Sequence, residues 1–179
     1  EADSDVIDGG ADSDVLKLST GSADTFSTDN KLVNVETLQA HASGSQVVLT
    51  GQTEAFTITG GASADNITGG SGIDTITGGD GIDTFVIRSG DGGSTIAGAD
   101  TITDFTDGTD LIGFESGNVG NLTIAQGSGS NANDTIISLT SSGEFLAVPG
   151  AFWRLPGAFW IFLAFSSAFW RFLAVSGAF

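Results

Sequence analysis

The stretch GGASADNIT GGSGIDTIT GGDGIDTFV, residues 60–86, decides the fold. It divides into three nine-residue units, 60–68, 69–77 and 78–86, in which paired glycines, an aspartate and an apolar residue return in fixed phase. Asp65, Asp74 and Asp83 stand nine apart, and so do Ile67, Ile76 and Phe85. Two series kept in step mark an internal repeat, and a repeat this short cannot bury its apolar residue alone; it must stack on its neighbours.

Each position of the unit has a physical job. The glycine pairs permit positive φ and close backbone approach, so the chain turns tightly and aims several carbonyl oxygens into a small space. A hard cation such as calcium takes six to eight oxygens, and one such turn with its aspartate supplies about half of them. A second turn must supply the rest. After the aspartate, a three-residue strand sends its middle residue to the face opposite its neighbours, so Ile67, Ile76 and Phe85 point inward while Thr and Asn point out.

The units resemble the hemolysin-type RTX (repeats-in-toxin) nonapeptide GGxGxDxUx, a calcium-binding repeat. The resemblance implies an all-β fold, a right-handed parallel β-roll in which one coil uses two units and turns eighteen residues apart share an ion. Carried over by position, Asp65 and Asp83 face one calcium with carbonyls from Gly61, Ser63, Gly79 and Gly81, and Asp74, with Gly70 and Gly72, serves the other edge. The resemblance extends to residues 9–17 (GGADSDVLK), with Asp14 in the acid position and Leu16 in the apolar one. Asp5, nine before Asp14, reads as the end of another unit, so the chain opens in mid-repeat, as a fragment or processed product does. Units 51–59 (GQTEAFTIT) and 42–50 (ASGSQVVLT) keep Ile58 and Leu49 inward but carry Phe56 and Val47 where aspartate is expected, so these rungs stack without calcium.

Downstream, residues 99–105 (ADTITDF) and 108–112 (GTDLI) resemble the segment that closes an RTX roll, which implicates Asp100 and Asp104 in the last site. Residues 121–125, 134–140 and 144–148 alternate in polarity between Ser, Gly and Asn, and read as short antiparallel strands capping the roll's open end. The chain thus divides into a calcium-binding roll over 1–98, a closing β cap over 99–148 and an apolar tail over 149–179.

Composition points the same way. All 22 acids lie at or before Glu144, where only Lys17, Lys31 and Arg88 oppose them, so residues 1–144 carry a net charge of −19. Such a chain repels itself until cations neutralise it. Nucleic acid is not an expected partner, because clustered Lys and Arg are missing. Without cysteine there is no disulfide scaffold or Cys-ligated zinc, and a thin-cored roll must draw stability from bound ions. The single histidine, His41, has no partner His at ligand spacing and reads as a surface or strand residue, so no zinc protease motif or Ser/His/Asp triad is present. An EF-hand is excluded by the absence of its twelve-residue spacing with a terminal Glu.

The tail breaks the pattern. Residues 145–179 contain no acid and all three tryptophans, Trp153, Trp160 and Trp170, with loose copies of FLA and AFW. The uncharged run 155–170 spans about 24 Å as a helix, and reaches across a bilayer only if extended past Arg171, with the guanidinium snorkelling and the tryptophans near head groups. A membrane anchor, an apolar contact in a larger assembly and a stretch read out of frame are the three readings of this composition.

The resemblance implies a calcium-binding module without catalytic activity, in a secreted or cell-surface bacterial protein (Gram-negative or cyanobacterial), folding on external calcium after type I secretion. Two alternatives stand beside it: a structural subunit of a surface layer, filament or membrane complex anchored through residues 151–179, and a non-catalytic targeting domain of an extracellular hydrolase.

Overall fold

Short strands of an outward and an inward residue recur along the chain, most of them entered through an acid, and they stack in parallel. The computed structural model describes residues 6–19, 21, 23–88, 90–91, 95–114, 122–126, 128–139, 144–149, 159–164 and 170–175. In chain order the first strands are β1 (Ile7–Asp8), β2 (Val15–Lys17), β3 (Ala23–Thr25), β4 (Leu32–Val33), β5 (Thr37–Gln39) and β6 (Gln46–Val48). They are followed by β7 (Thr57–Thr59), β8 (Asn66–Thr68), β9 (Thr75–Thr77), β10 (Thr84–Ile87), β11 (Asp100–Ile102) and β12 (Leu111–Phe114). Strands β3, β6, β8, β10 and β12 form one parallel sheet; β2, β5, β7, β9 and β11 form the parallel part of a second. Strands β1 and β4 pair separately. The chain alternates between the two sheets, as a solenoid of about four turns must.

Coil length follows the units. Thr57 pairs with Thr75 and Asn66 with Thr84, eighteen residues on. Where the sequence departs from the clean unit the coil lengthens: Gln46 pairs with Asn66, Thr75 with Thr101 and Thr84 with Leu111. The inward positions stay in register through these changes, as Val47, Ile67, Phe85 and Ile112 on one sheet and Leu38, Ile58, Ile76 and Ile102 on the other, all buried. Each contributes about 1.5–3 kcal/mol when fully buried. The file of the first sheet ends at Asp24, opposite Val47, where an acid occupies an inward position.

One sequence expectation is corrected here. Val47 does not stand in the acid position of its unit; it is the buried middle residue of β6, and Ser45 takes the acid's place. The twenty-residue coil shifts the phase by two, so walking back by nines lands on the wrong residue. Phe56 does stand where aspartate was expected, with Ile58 inward.

Beyond the roll, β13 (Leu122–Gln126), β14 (Asp134–Leu139) and β15 (Glu144–Pro149) form an antiparallel cap, and β15 joins the second sheet beside β11. In the tail, β16 (Phe159–Ala164) and β17 (Trp170–Val175) pair antiparallel, and β16 lies alongside β12. The sequence leaves the structure of this tail open, a helix being one possibility; its described residues 159–164 and 170–175 are paired strands, in keeping with the strand propensity of aromatic and aliphatic residues. No helix among the described residues is long and apolar enough to cross a membrane.

Candidate cation sites along the two edges

Strands β8 to β12 are entered through one tripeptide of acid, outward residue and inward apolar residue: Asp65-Asn66-Ile67, Asp74-Thr75-Ile76, Asp83-Thr84-Phe85, Asp100-Thr101-Ile102 and Asp110-Leu111-Ile112. The parallel register stacks these entry residues into two files. One, at the entry to the first sheet, holds Ser45, Asp65, Asp83 and Asp110. The other, at the entry to the second sheet, holds Asp14, Glu36, Phe56, Asp74 and Asp100.

Within each file a carboxylate holds the coil before it. The Ser45 N–H donates to Asp65 Oδ1 (2.6 Å), Asp65 N–H to Asp83 Oδ1 (2.9 Å) and Asp83 N–H to Asp110 Oδ1 (3.0 Å). In the other file Asp14 N–H donates to Glu36 Oε2 (2.8 Å), Phe56 N–H to Asp74 Oδ1 (2.8 Å) and Asp74 N–H to Asp100 Oδ1 (2.9 Å). The second oxygen ties the acid's own turn, accepting from the N–H four residues earlier: Gly61 to Asp65 (2.6 Å), Gly70 to Asp74 (2.9 Å) and Thr106 to Asp110 (2.7 Å). Charge-assisted bonds of this kind are roughly twice as strong as neutral ones.

Asp83 breaks the rule. The N–H of Gly79, four residues before it, donates to Asp104 Oδ2 (2.8 Å), and that of Gly78 to Asp104 Oδ1 (2.8 Å). Asp83 Oδ2 is left buried with no partner. Burial, with the charges of Asp110, Asp65 and Asp104 nearby, pushes the Asp83 carboxyl up to about 6 against the partial relief of the Asp65 N–H. Burial likewise pushes Asp100 up to about 7, reinforced by Asp74 and Asp91, and raises Asp74. A carboxylate buried among like charges calls for a cation or a proton.

The glycines explain how closely the turns approach. Gly79 and Gly81 hold φ of +96° and +131°, and a β-carbon would run into the Gly61 carbonyl at the former and the backbone of Ser63 and Ala64 at the latter. Turns 60–65 and 78–83 therefore stack backbone on backbone, which brings Gly61, Ser63, Asp65, Gly79, Gly81 and Asp83 to one edge. A shallow groove of about 530 Å³ runs along that edge past Ser45, Asp65 and Ile82.

Gly70, Gly72 and Asp74 lie on the opposite edge, against the Gln52 and Glu54 carbonyls and Asp100. Asp104 joins the edge of Asp83, while Asp100 joins that of Asp74. Asp14 stands at the amino-terminal end beside Glu36, and Asp5 lies outside the described residues. Asp110, Glu36 and Ser45 were not singled out by sequence; the acid, any residue, aliphatic tripeptide would have found the first two. His41 Nδ1 accepts the Ser43 N–H (3.2 Å) within its own turn, in keeping with a structural role. Among the described residues no three His, Cys, Asp or Glu side chains form a metal-holding group. The stacked turns offer single carboxylates with backbone carbonyls, oxygens of the kind a hard cation takes.

The model of one protein family, Peptidase M10 serralysin C terminal, matches residues 15–142. The chain belongs to the serralysin C-terminal family. The match starts where β2 starts, covers more than two thirds of the chain and leaves the apolar hairpin outside. This family is the non-catalytic C-terminal part of serralysin-type proteins and has an RTX-type β-roll repeat. No curated protein matches the chain.

Proposed function

We propose that this serralysin C-terminal chain is a calcium-binding β-roll module of a secreted or cell-surface bacterial protein. It stays unfolded in the low-calcium cytosol, leaves by type I secretion and folds on external calcium. The observation that carries this reading is Asp83, whose carboxylate is fully buried among other acids with one oxygen unpartnered. Such a group is costly unless a cation completes it.

Calcium bound between turns 60–65 and 78–83 would take oxygen from Asp83 and Asp65 and carbonyls from Gly61, Ser63, Gly79 and Gly81. On the other edge Asp74, Gly70, Gly72 and Asp100 would serve, with Asp14 and Asp5 at the first site, while Asp104 stands beside the last site on the edge of Asp83. The ion supplies positive charge to files that otherwise repel, and binding free energy becomes folding free energy because the site exists only in the folded coil.

A double-mutant cycle tests the paired turns. Asp65→Ala and Asp83→Ala each weaken calcium binding measured by titration calorimetry, and the double variant loses little more than either alone, because neighbours in one site are not additive. Additive losses would argue for separate sites, and a wild-type chain that binds no calcium would remove the proposal.

The family match favours a second reading of the parent protein, in which this module accompanies an extracellular hydrolase as its non-catalytic targeting domain. A protease or lipase domain in the reading frame upstream of Glu1 supports it; a frame encoding only further repeats argues against it.

A further inference from the structure

The repeat aspartates are not equivalent. Asp65, Asp74 and Asp110 each have one oxygen bonded to an N–H of the preceding coil and the other to the N–H four residues earlier. Both oxygens of these three acids act as staples of the turn. Asp83 keeps the first bond but not the second, because Asp104 has captured Gly79 N–H together with that of Gly78. Its Oδ2 points at the Gly78 turn, close enough that a β-carbon on Gly78 would run into it. Asp83 is fully buried, and among the buried acids of the described residues its Oδ2 is the one oxygen both enclosed from solvent and without a partner.

The same cause leaves the same result elsewhere. At the amino-terminal end Gly10 N–H, four residues before Asp14, donates instead to Asp8 Oδ1 (3.0 Å), and Asp14 Oδ2 is again without a partner. Asp14 Oδ2 is enclosed as well, but Asp14 ends its file beside Glu36 alone, whereas Asp83 stands between Asp65 and Asp110.

Resting on the calcium reading above, we propose that Asp83 Oδ2 is a ligand of the most tightly held calcium of the folded roll, and that Asp104 is the positioning residue that leaves it free by holding the Gly78 and Gly79 N–H groups. Phe105 fixes Asp104 in place: its ring stands 6.0 Å from that of the buried Phe85. Asp74 and Asp110 hold calcium less tightly, because both oxygens of each already hold backbone donors. The edge of turns 60–65 and 78–83 therefore holds calcium more tightly than the edge of Asp74.

The test is a calcium titration of the full chain followed through the side-chain carboxyl carbon resonances of its aspartates, with binding steps measured in parallel by calorimetry. The Asp83 resonance moves with the tightest step, together with that of Asp65, which shares the ion, and ahead of those of Asp74 and Asp110. Asp104→Asn lets Gly79 N–H return to Asp83 and weakens that step about tenfold, the scale of losing a hydrogen-bond partner that orients a metal ligand. Asp80→Asn, which removes a charge from the same turn without touching Gly79 N–H, changes the step by less than about threefold on the scale of an exposed charge. If Asp74 or Asp110 responds first, or Asp104→Asn matches Asp80→Asn, the ranking proposed here is wrong while calcium binding stands. A wild-type chain with no calcium step overturns both.

Discussion

Gly79 is where backbone and chemistry constrain one residue from two sides. Its φ of +96° is unfavourable for any side chain, and the Gly61 carbonyl fills the place of a β-carbon. Gly79→Ala therefore costs about 1–3 kcal/mol of stability in the calcium-loaded chain, read from the denaturant midpoint. Asp24 is the opposite case. It occupies an inward position opposite Val47 with Oδ2 unpartnered, and burial raises its pKa. Replacing an unsatisfied polar group in an apolar file removes a penalty, so Asp24→Leu raises the same midpoint by about 1 kcal/mol. The titrations of Asp83 and Asp100 set a pH dependence. Their folded values, about 6 and about 7, lie above the ordinary 3.8, so the folded state binds more protons than the unfolded one. Their contribution favours folding at low pH and is lost as pH rises through about 6 to 7. In calcium-free buffer β-structure measured by circular dichroism should increase from about pH 8 to about pH 5 as protons replace the ion. An unchanged or falling signal over that interval would contradict the assignment of these buried acids.

At the scale of elements, the inward file carries the packing. Ile67 is buried between Val47 and Phe85 on its neighbouring strands. Ile67→Ala leaves a cavity in a thin core with little capacity to collapse, and costs about 2–5 kcal/mol by calcium-loaded thermal or denaturant unfolding. The three clean units were legible because glycine, aspartate and apolar residue each kept a nine-residue phase, which fixes eighteen-residue coils and both entry files. Residues 42–50 were misread because phase alone cannot see the two extra residues between Gln46 and Asn66. Asp110 and Glu36 were missed for the same reason: they enter strands through coils of irregular length, and only their local tripeptide survives. The capture of Gly79 N–H by Asp104 was beyond reach of the sequence, since it depends on a contact 25 residues apart along the chain. In the tail, aromatic runs long enough for a helix adopt strands, because an apolar run without clear periodicity does not by itself decide between the two.

On the scale of the whole molecule, charge and topology act together. Residues 1–144 carry a net charge of −19, and the coil stacks seven of their 22 acids into two files. The antiparallel cap prolongs the second sheet past β11, and the apolar hairpin lies outside the family match. Deleting residues 151–179 should therefore leave calcium-induced folding of the rest nearly intact while abolishing association with membranes or assemblies, measured by vesicle flotation and by sedimentation. Loss of calcium-dependent folding in that truncation would make the hairpin an integral part of the roll, in keeping with the position of β16 beside β12. The central claim is that the coil exists because cations neutralise its edges. Far-ultraviolet circular dichroism of the full chain in chelator and then in millimolar calcium tests it most directly at neutral pH. The account predicts a disordered spectrum that becomes a β spectrum on adding calcium, and a spectrum identical in the two conditions would contradict it.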